Sequence, residues 1–387
     1  MTAPQRFRTL CYTIEGINSF AVVIYVNYLY FFLRDHYGFT NKGNLAVAAF
    51  LGLVYTFSSW QAGKFARRYG YFTSLKIGFS LLAVGTLIGW QVPYLAAVIA
   101  SAAISSVGMC FIWPVLEAFV SEGNVAARAV GIYNITWAIT NASAAFVGGT
   151  LIEKLGYHSI FYVPFGLMLI QLAMVFGIEK LHASYTVAEA ETEVPHDPHR
   201  PALEKSRSFQ YMAWLANPFA YIAINTLIAV LPGLASKFHL TPMVVGFACS
   251  LWCFVRFFAF IALWQWTGWH YRFRWLVTAY VLMVLSFATI LVAPYFALVL
   301  AAQMIFGVTV GLMYYSSLFY AMDAHDAGSE HGGIHEAAIG LGNCIGPAAG
   351  AAALQFAAQS PNAGAFAVSG LLVCGLAGLV TIRLRTR

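Results

Sequence analysis

Residues 94–119 read YLAAVIASAAISSVGMCFIWPVLEAF, 26 positions with one charged side chain, Glu117. As a helix this run is about 39 Å long, more than the ~30 Å hydrocarbon core of a bilayer. A soluble domain has no use for so long an apolar stretch. The segment therefore reads as a membrane span, with Trp113-Pro114 expected to kink it near one end.

The rest of the chain repeats the pattern. Of its 387 residues, 60% are hydrophobic and only 9% are charged, and the mean hydropathy is +0.72. A soluble protein of this size needs more charge to cover its surface. Eleven further spans can be marked, at about 9–33, 45–62, 75–92, 130–152, 159–178, 210–233, 243–263, 275–293, 295–322, 334–357 and 364–382. The second is short, so its helix is expected to extend into the flanking residues. Pro93 and Pro294 mark tight turns between adjacent spans. The expected fold is thus an all-α integral membrane protein, with twelve transmembrane helices in two pseudo-symmetric six-helix bundles.

One long polar segment, 179–209, carries Glu189, Glu191, Glu193, Pro195, Asp197, Pro198 and Pro201, the composition of a flexible linker. It divides the chain into an N-terminal half, 1–178, and a C-terminal half, 210–387. The halves echo each other. An offset of about 202 aligns Gly131 with Gly333, Asn141 with Asn343 and Gly148 with Gly350, and sets Glu336 opposite Asn134. Trp60-Gln61 recurs as Trp264-Gln265.

With the N-terminus in the cytoplasm, 16 of the 21 Lys and Arg residues fall on the inner side, leaving Arg34, Lys42, Lys154 and Lys237 outside and Arg256 within a span. That asymmetry follows the positive-inside rule and places both termini in the cytoplasm. The N-terminal apolar run is too long for a signal-peptide core and lacks a small-residue cleavage site, so it reads as a retained helix. The expected location is a plasma membrane, of the bacterial inner-membrane type. The net charge of +6 is spread over short loops, so no nucleic-acid partner is expected. All six cysteines (Cys11, Cys110, Cys249, Cys253, Cys344, Cys374) lie in apolar segments and read as small hydrophobes.

The chain at this point resembles the major facilitator superfamily over essentially its whole length. After the second span, Gly63-Lys64-Phe65-Ala66-Arg67-Arg68-Tyr69-Gly70 is similar to that family's glycine-and-arginine loop. Gly63, Arg68 and Gly70 fit its pattern, whereas Arg67 stands where an acid is usual and Tyr71 where a basic residue is usual. Gly148-Gly149 before Leu155-Gly156-Tyr157 resembles the fifth-helix motif without its Gly-Pro step, and Gly346-Pro347 occurs in the partner helix eleven. The resemblance implies a central cavity between the halves, open to each side in turn.

Ionisable and polar groups inside spans are costly and mark candidate sites. Glu15, Asn18 and Tyr25 are read as one face of the first helix, Glu117 as a gate or proton site, and Arg256 as pairing with an acid or with an anionic solute. Asn134, Trp137 and Asn141 form a stripe on the fifth span, Asn217, Tyr221 and Asn225 on the seventh, and Glu336, Gly340 and Asn343 on the eleventh. Gln303, Tyr314 and Tyr315 come from the tenth. The polar stretch from His325 to Glu336 reads as a gate with proton relay, a solvated helix cap or, with His331 and His335 four apart, a metal site lacking a closed set of four ligands. Each amide is equally open to a role as packing glue between helices.

No phosphate loop of the form Gly-x-x-x-x-Gly-Lys-Ser/Thr occurs, so ATP is not expected to drive it. The reading is a secondary active transporter, proton-coupled and monomeric, for a small neutral polar or amphipathic solute. It is not read as an enzyme, and it needs no cofactor or metal. The alternatives are a drug or organic-anion antiporter and, in another class, a non-transporting sensor or intramembrane enzyme.

Overall fold

The structure is a computed structural model, and it describes residues 3–121, 126–183, 203–323 and 329–386. Among these residues the chain is helical apart from short turns. The first bundle comprises α1 (Ala3–Tyr37), α2 (Asn41–Tyr69), α3 (Tyr71–Gln91), α4 (Leu95–Cys110), α5 (Trp113–Ser121), α6 (Ala126–Leu155) and α7 (Ser159–Ala183). The second comprises α8 (Leu203–Lys237), α9 (Pro242–Gln265), α10 (Phe273–Val292), α11 (Phe296–Asp323), α12 (Ser329–Phe356) and α13 (Ala363–Arg385). Twelve spans among them are long and apolar enough to cross a membrane, with α4 and α5 together making one. An even number of crossings returns the chain to its starting side.

The helix ends follow local chemistry. A break at Phe111 and Ile112 separates α4 from α5, so Pro114 falls in the first turn of a new helix, where its missing N–H costs nothing. Thr241 caps α9 by accepting from the Val244 N–H at 3.4 Å, and Pro242 opens that helix. The second span does extend, to 41–69. Most of the supposed loop from Gly63 to Gly70 is therefore its last two turns, and Gly70 alone turns the chain with φ +92°. That left-handed angle suits glycine because a Cβ would crowd the backbone. The ends of α7 and α8 reach into the expected linker, and residues 184–202 lie outside the described residues.

Small residues let the two bundles approach closely. Gly52 of α2 rests on the backbone of Asn343 and Cys344, Gly340 of α12 rests on Thr56, and Gly333 on Ser59 and Gly63. In the second seam Gly149 of α6 abuts the Pro242 carbonyl, and Gly246 of α9 abuts the carbonyls of Ala145 and Phe146. At the end remote from the termini, Lys42 Nζ donates to Gln355 Oε1 at 2.9 Å and the Met243 N–H donates to Glu153 Oε2 at 3.2 Å. Large apolar side chains such as Phe57, Phe247, Phe258 and Phe366 face outward, as lipid contact requires. Cys374 is also exposed, unlike the buried Cys11, Cys110, Cys249 and Cys253.

These seams give a direct stability test. Gly52→Ala forces a methyl into the α12 backbone and should cost about 1–3 kcal/mol, read as a lower Tm in detergent. Gly166, which has nothing within 4 Å of an added Cβ, should accept alanine with an unchanged or slightly higher Tm. Equal behaviour of the two variants would contradict the packing described.

Candidate substrate cavity

Between the bundles lies a cavity of about 210 Å³ lined by side chains from both. Its lining includes Glu15, Ser19 and Tyr25 of α1, Tyr55 of α2, and Trp113 and Glu117 of α5. From α6 come Tyr133, Trp137 and Asn141, and from the second bundle Tyr221, Asn225, Trp252, Arg256, Tyr314, Glu336 and Asn343. On α6 these residues are spaced by four, so they stack one turn above the next on a single face.

Three carboxylates converge here, each held differently. Glu15 is 1% exposed. Its Oε1 accepts from the Ser19 hydroxyl at 2.6 Å, while Oε2 has no hydrogen-bond partner, with Tyr133 and Trp113 close by. Glu336 Oε2 accepts from the Tyr55 hydroxyl, a bond that crosses from the first bundle to the second. Glu117 lies beside the Tyr314 hydroxyl and within electrostatic range of both other acids.

Among the described residues the one cation lining the cavity is Arg256. Its guanidinium lies 4.6 Å from the centre of the Trp137 ring and 4.8 Å from that of Trp252, one ring from each bundle. It forms no salt bridge with any acid among the described residues, and its Nε is buried without a partner. The pairing expected for Arg256 is therefore met by aromatic faces and not by a carboxylate. Such cation–π contacts supply only about 0.5–2 kcal/mol each, and they leave the Nε–H unsatisfied.

Of the residues singled out from sequence, Glu15, Tyr25, Glu117, Trp137, Asn141, Asn225, Arg256, Tyr314, Glu336 and Asn343 share this cavity. Others stand apart. Asn134 is buried and accepts from Trp137 Nε1 at 3.1 Å, which orients the indole. Asn18 is buried with both amide atoms unpartnered. Gln303 lines a separate small cavity of about 30 Å³. Tyr315 packs against Phe260 and Trp269, and Gly340 serves the α2 seam. His335 sits behind the lining, with Nε2 3.2 Å from both Asn217 Nδ2 and Ser317 Oγ. The side chain of His331 and residues 325–328 lie outside the described residues.

Sequence reasoning missed Ser19, Tyr55, Tyr133 and Trp252. Neutral hydroxyls and rings within apolar runs carry no charge signal. Strict four-residue spacing back from Trp137 and Arg256 would have found Tyr133 and Trp252, and forward from Glu15 it would have found Ser19.

Helical bundles enclosing a cavity with charged side chains at their mutual interface fit a membrane transporter. The profile of the Major Facilitator Superfamily matches residues 9–347, and the chain belongs to that family. No curated protein sequence matches it significantly. Among solved structures, the human organic anion transporter MFSD10 (TETRAN) is similar with a TM-score of 0.69 at 13% identity, over 98% of this chain and 100% of that one. At that identity the likeness speaks for the fold.

The bond between Tyr55 and Glu336 can be checked alone. Tyr55→Phe removes the donor to a buried carboxylate and should cost about 1.5–3 kcal/mol, seen as a lower Tm. Tyr94→Phe, at a position 71% exposed, should leave Tm unchanged.

Proposed function

We propose that the protein is a proton-coupled secondary transporter of a small organic solute carrying an acidic group. The observation that supports this reading is Arg256, a guanidinium buried in the cavity and in no salt bridge with an acid among the described residues. A guanidinium in a low-dielectric cavity favours a carboxylate or similar oxyanion, which its planar donors can grip in a bidentate way. A neutral polar solute has less support. The amides that suggested it are partly spent on each other, since Asn225 donates to Asn343 and Asn134 holds Trp137.

Glu15, Glu117 and Glu336 supply the coupling groups. Glu15 and Glu336, both buried and facing the cavity, bring negative charge that protons can neutralise, and Glu117 lies within electrostatic range of both. Glu15 is the leading proton site because its Oε2 is buried and unpartnered. The two seams of small residues allow the bundles to rock against each other, opening the cavity to one side and then the other. The cavity is complete within one chain, in keeping with a monomer. The distribution of Lys and Arg supports a bacterial inner-membrane location with both termini cytoplasmic.

In proteoliposomes, Glu15→Gln should abolish accumulation driven by a pH gradient while leaving solute exchange intact. Retained pH-driven accumulation would remove Glu15 as the proton site. Arg256→Gln should lose binding of organic carboxylates by about ten- to a hundredfold, as the loss of a hydrogen bond to a charged group implies. Unchanged carboxylate binding in that variant would overturn the anion reading. For orientation, Asn362→Cys, in a background without native cysteines, should react with an impermeant maleimide added to intact cells. Labelling only after permeabilisation would reverse the topology.

A further inference from the structure

The cavity holds a second recognition feature beyond Arg256. One oxygen each from Glu117 and Glu336 and one ring nitrogen of His335 lie within 4.8 Å of one another. They come from α5 of the first bundle and α12 of the second, so they meet only when the bundles are together.

The state of the His335 ring follows from its neighbours. The Ser317 hydroxyl gives its hydrogen to the Tyr314 carbonyl at 2.8 Å. With its hydrogen so placed, the Ser317 oxygen accepts from His335 Nε2, 3.2 Å away. This assigns the ring hydrogen to Nε2, with the Asn217 amide turned so that its otherwise unpartnered Oδ1 accepts from the same N–H. In that tautomer Nδ1 is a bare acceptor. It is buried without a partner, 3.9 Å from Glu336 Oε1, in a residue only 9% exposed. A buried acceptor beside two carboxylates has no use for another acceptor; it needs a donor.

We propose that the solute carries a primary ammonium group beside its acidic group, with the ammonium seated among Glu117, Glu336 and His335 Nδ1 while Arg256 holds the acid. This rests on the anion reading given above. A primary ammonium has three N–H donors and no acceptor, which complements three converging acceptors. Around a nitrogen at about 2.8 Å, tetrahedrally placed acceptors lie roughly 4.6 Å apart. Around a zinc-like ion at about 2.1 Å they lie roughly 3.4 Å apart, closer than the 3.9 Å between His335 Nδ1 and Glu336 Oε1. The two ends are also linked through one aromatic wall. Tyr314 lies beside Glu117, packs 6.2 Å from the His335 ring and lies 5.0 Å from Trp137, which in turn faces Arg256. A zwitterion would neutralise both ends at once, leaving Glu15 for the proton.

The test uses four probes with one hydrocarbon body: phenylalanine, 3-phenylpropionate, phenethylamine and N,N,N-trimethylphenylalanine. Binding to the purified full-length protein is read by thermal shift and by competition, with Zn²⁺ as a fifth probe. Phenylalanine should bind at least about tenfold more tightly than 3-phenylpropionate, as a charged hydrogen-bonding group implies. Trimethylation should abolish that advantage, because it removes the donors and keeps the charge. The advantage should also collapse in His335→Gln and Glu117→Gln. Equal binding of phenylalanine and 3-phenylpropionate, both lost in Arg256→Gln, would sink the ammonium site and leave the anion reading standing. Loss of neither probe in Arg256→Gln would overturn both. Stabilisation by Zn²⁺ that depends on Glu117, His335 and Glu336, without an advantage for phenylalanine, would show a metal site instead.

Discussion

A positive charge held inside a membrane protein, in salt-bridge contact with no carboxylate among the described residues, is the constraint around which the rest of this structure is arranged. Desolvating a guanidinium is costly, and the protein offsets the cost with two indole faces, one from each bundle. Trp137 is itself oriented by Asn134, and Trp252 packs against Phe306. The aromatic lining thus has an electrostatic task as well as a packing one. Moving either bundle changes the surroundings of Arg256, so charge and conformation are coupled through the same contacts.

The same logic governs the acids. Glu336 is held by a hydroxyl from the opposite bundle and Glu117 lies beside Tyr314, whereas Glu15 is held by Ser19 of its own helix, with Tyr133 and Trp113 close to it. In the proposed cycle, bonds that cross the interface form or break as the bundles part, and a group whose partner leaves must find a proton, a solute or water. Alternating access needs this dependence: occupancy of the cavity has to differ in free energy between its conformations. Glycines make the motion feasible, because Gly52, Gly149, Gly246 and Gly340 let backbones meet directly without interlocked side chains.

Most of the fold was legible in the residues themselves. Length and hydropathy fix where a span must be, and the breaks at Pro93, Trp113-Pro114 and Pro294 follow from backbone chemistry. Helix ends were less legible, since apolar counting stops at the first charges whereas α2 continues through Lys64 to Tyr69. In the cavity the charged members, Glu15, Glu117, Arg256 and Glu336, stood out because charge is rare in a span. Of the stripe expected on α6, Trp137 and Asn141 line the cavity, whereas Asn134, which attracts notice by polarity, stands outside the lining and Tyr133 takes its place on that face. Periodicity identifies a helix; which neutral side chains face inward depends on how its neighbours pack. Whether Arg256 met an acid was a question of three-dimensional pairing that no spacing could answer.

The central claim, that Arg256 awaits an anionic group of the solute, can be read from the rings that hold it. An anion that draws the guanidinium away from Trp137 and Trp252 should change tryptophan emission saturably. The account predicts that change with an organic carboxylate, its absence with the alcohol of the same body, and its loss when both residues are replaced by Phe. An equal response to the alcohol, or no saturable response to any carboxylate, would contradict it.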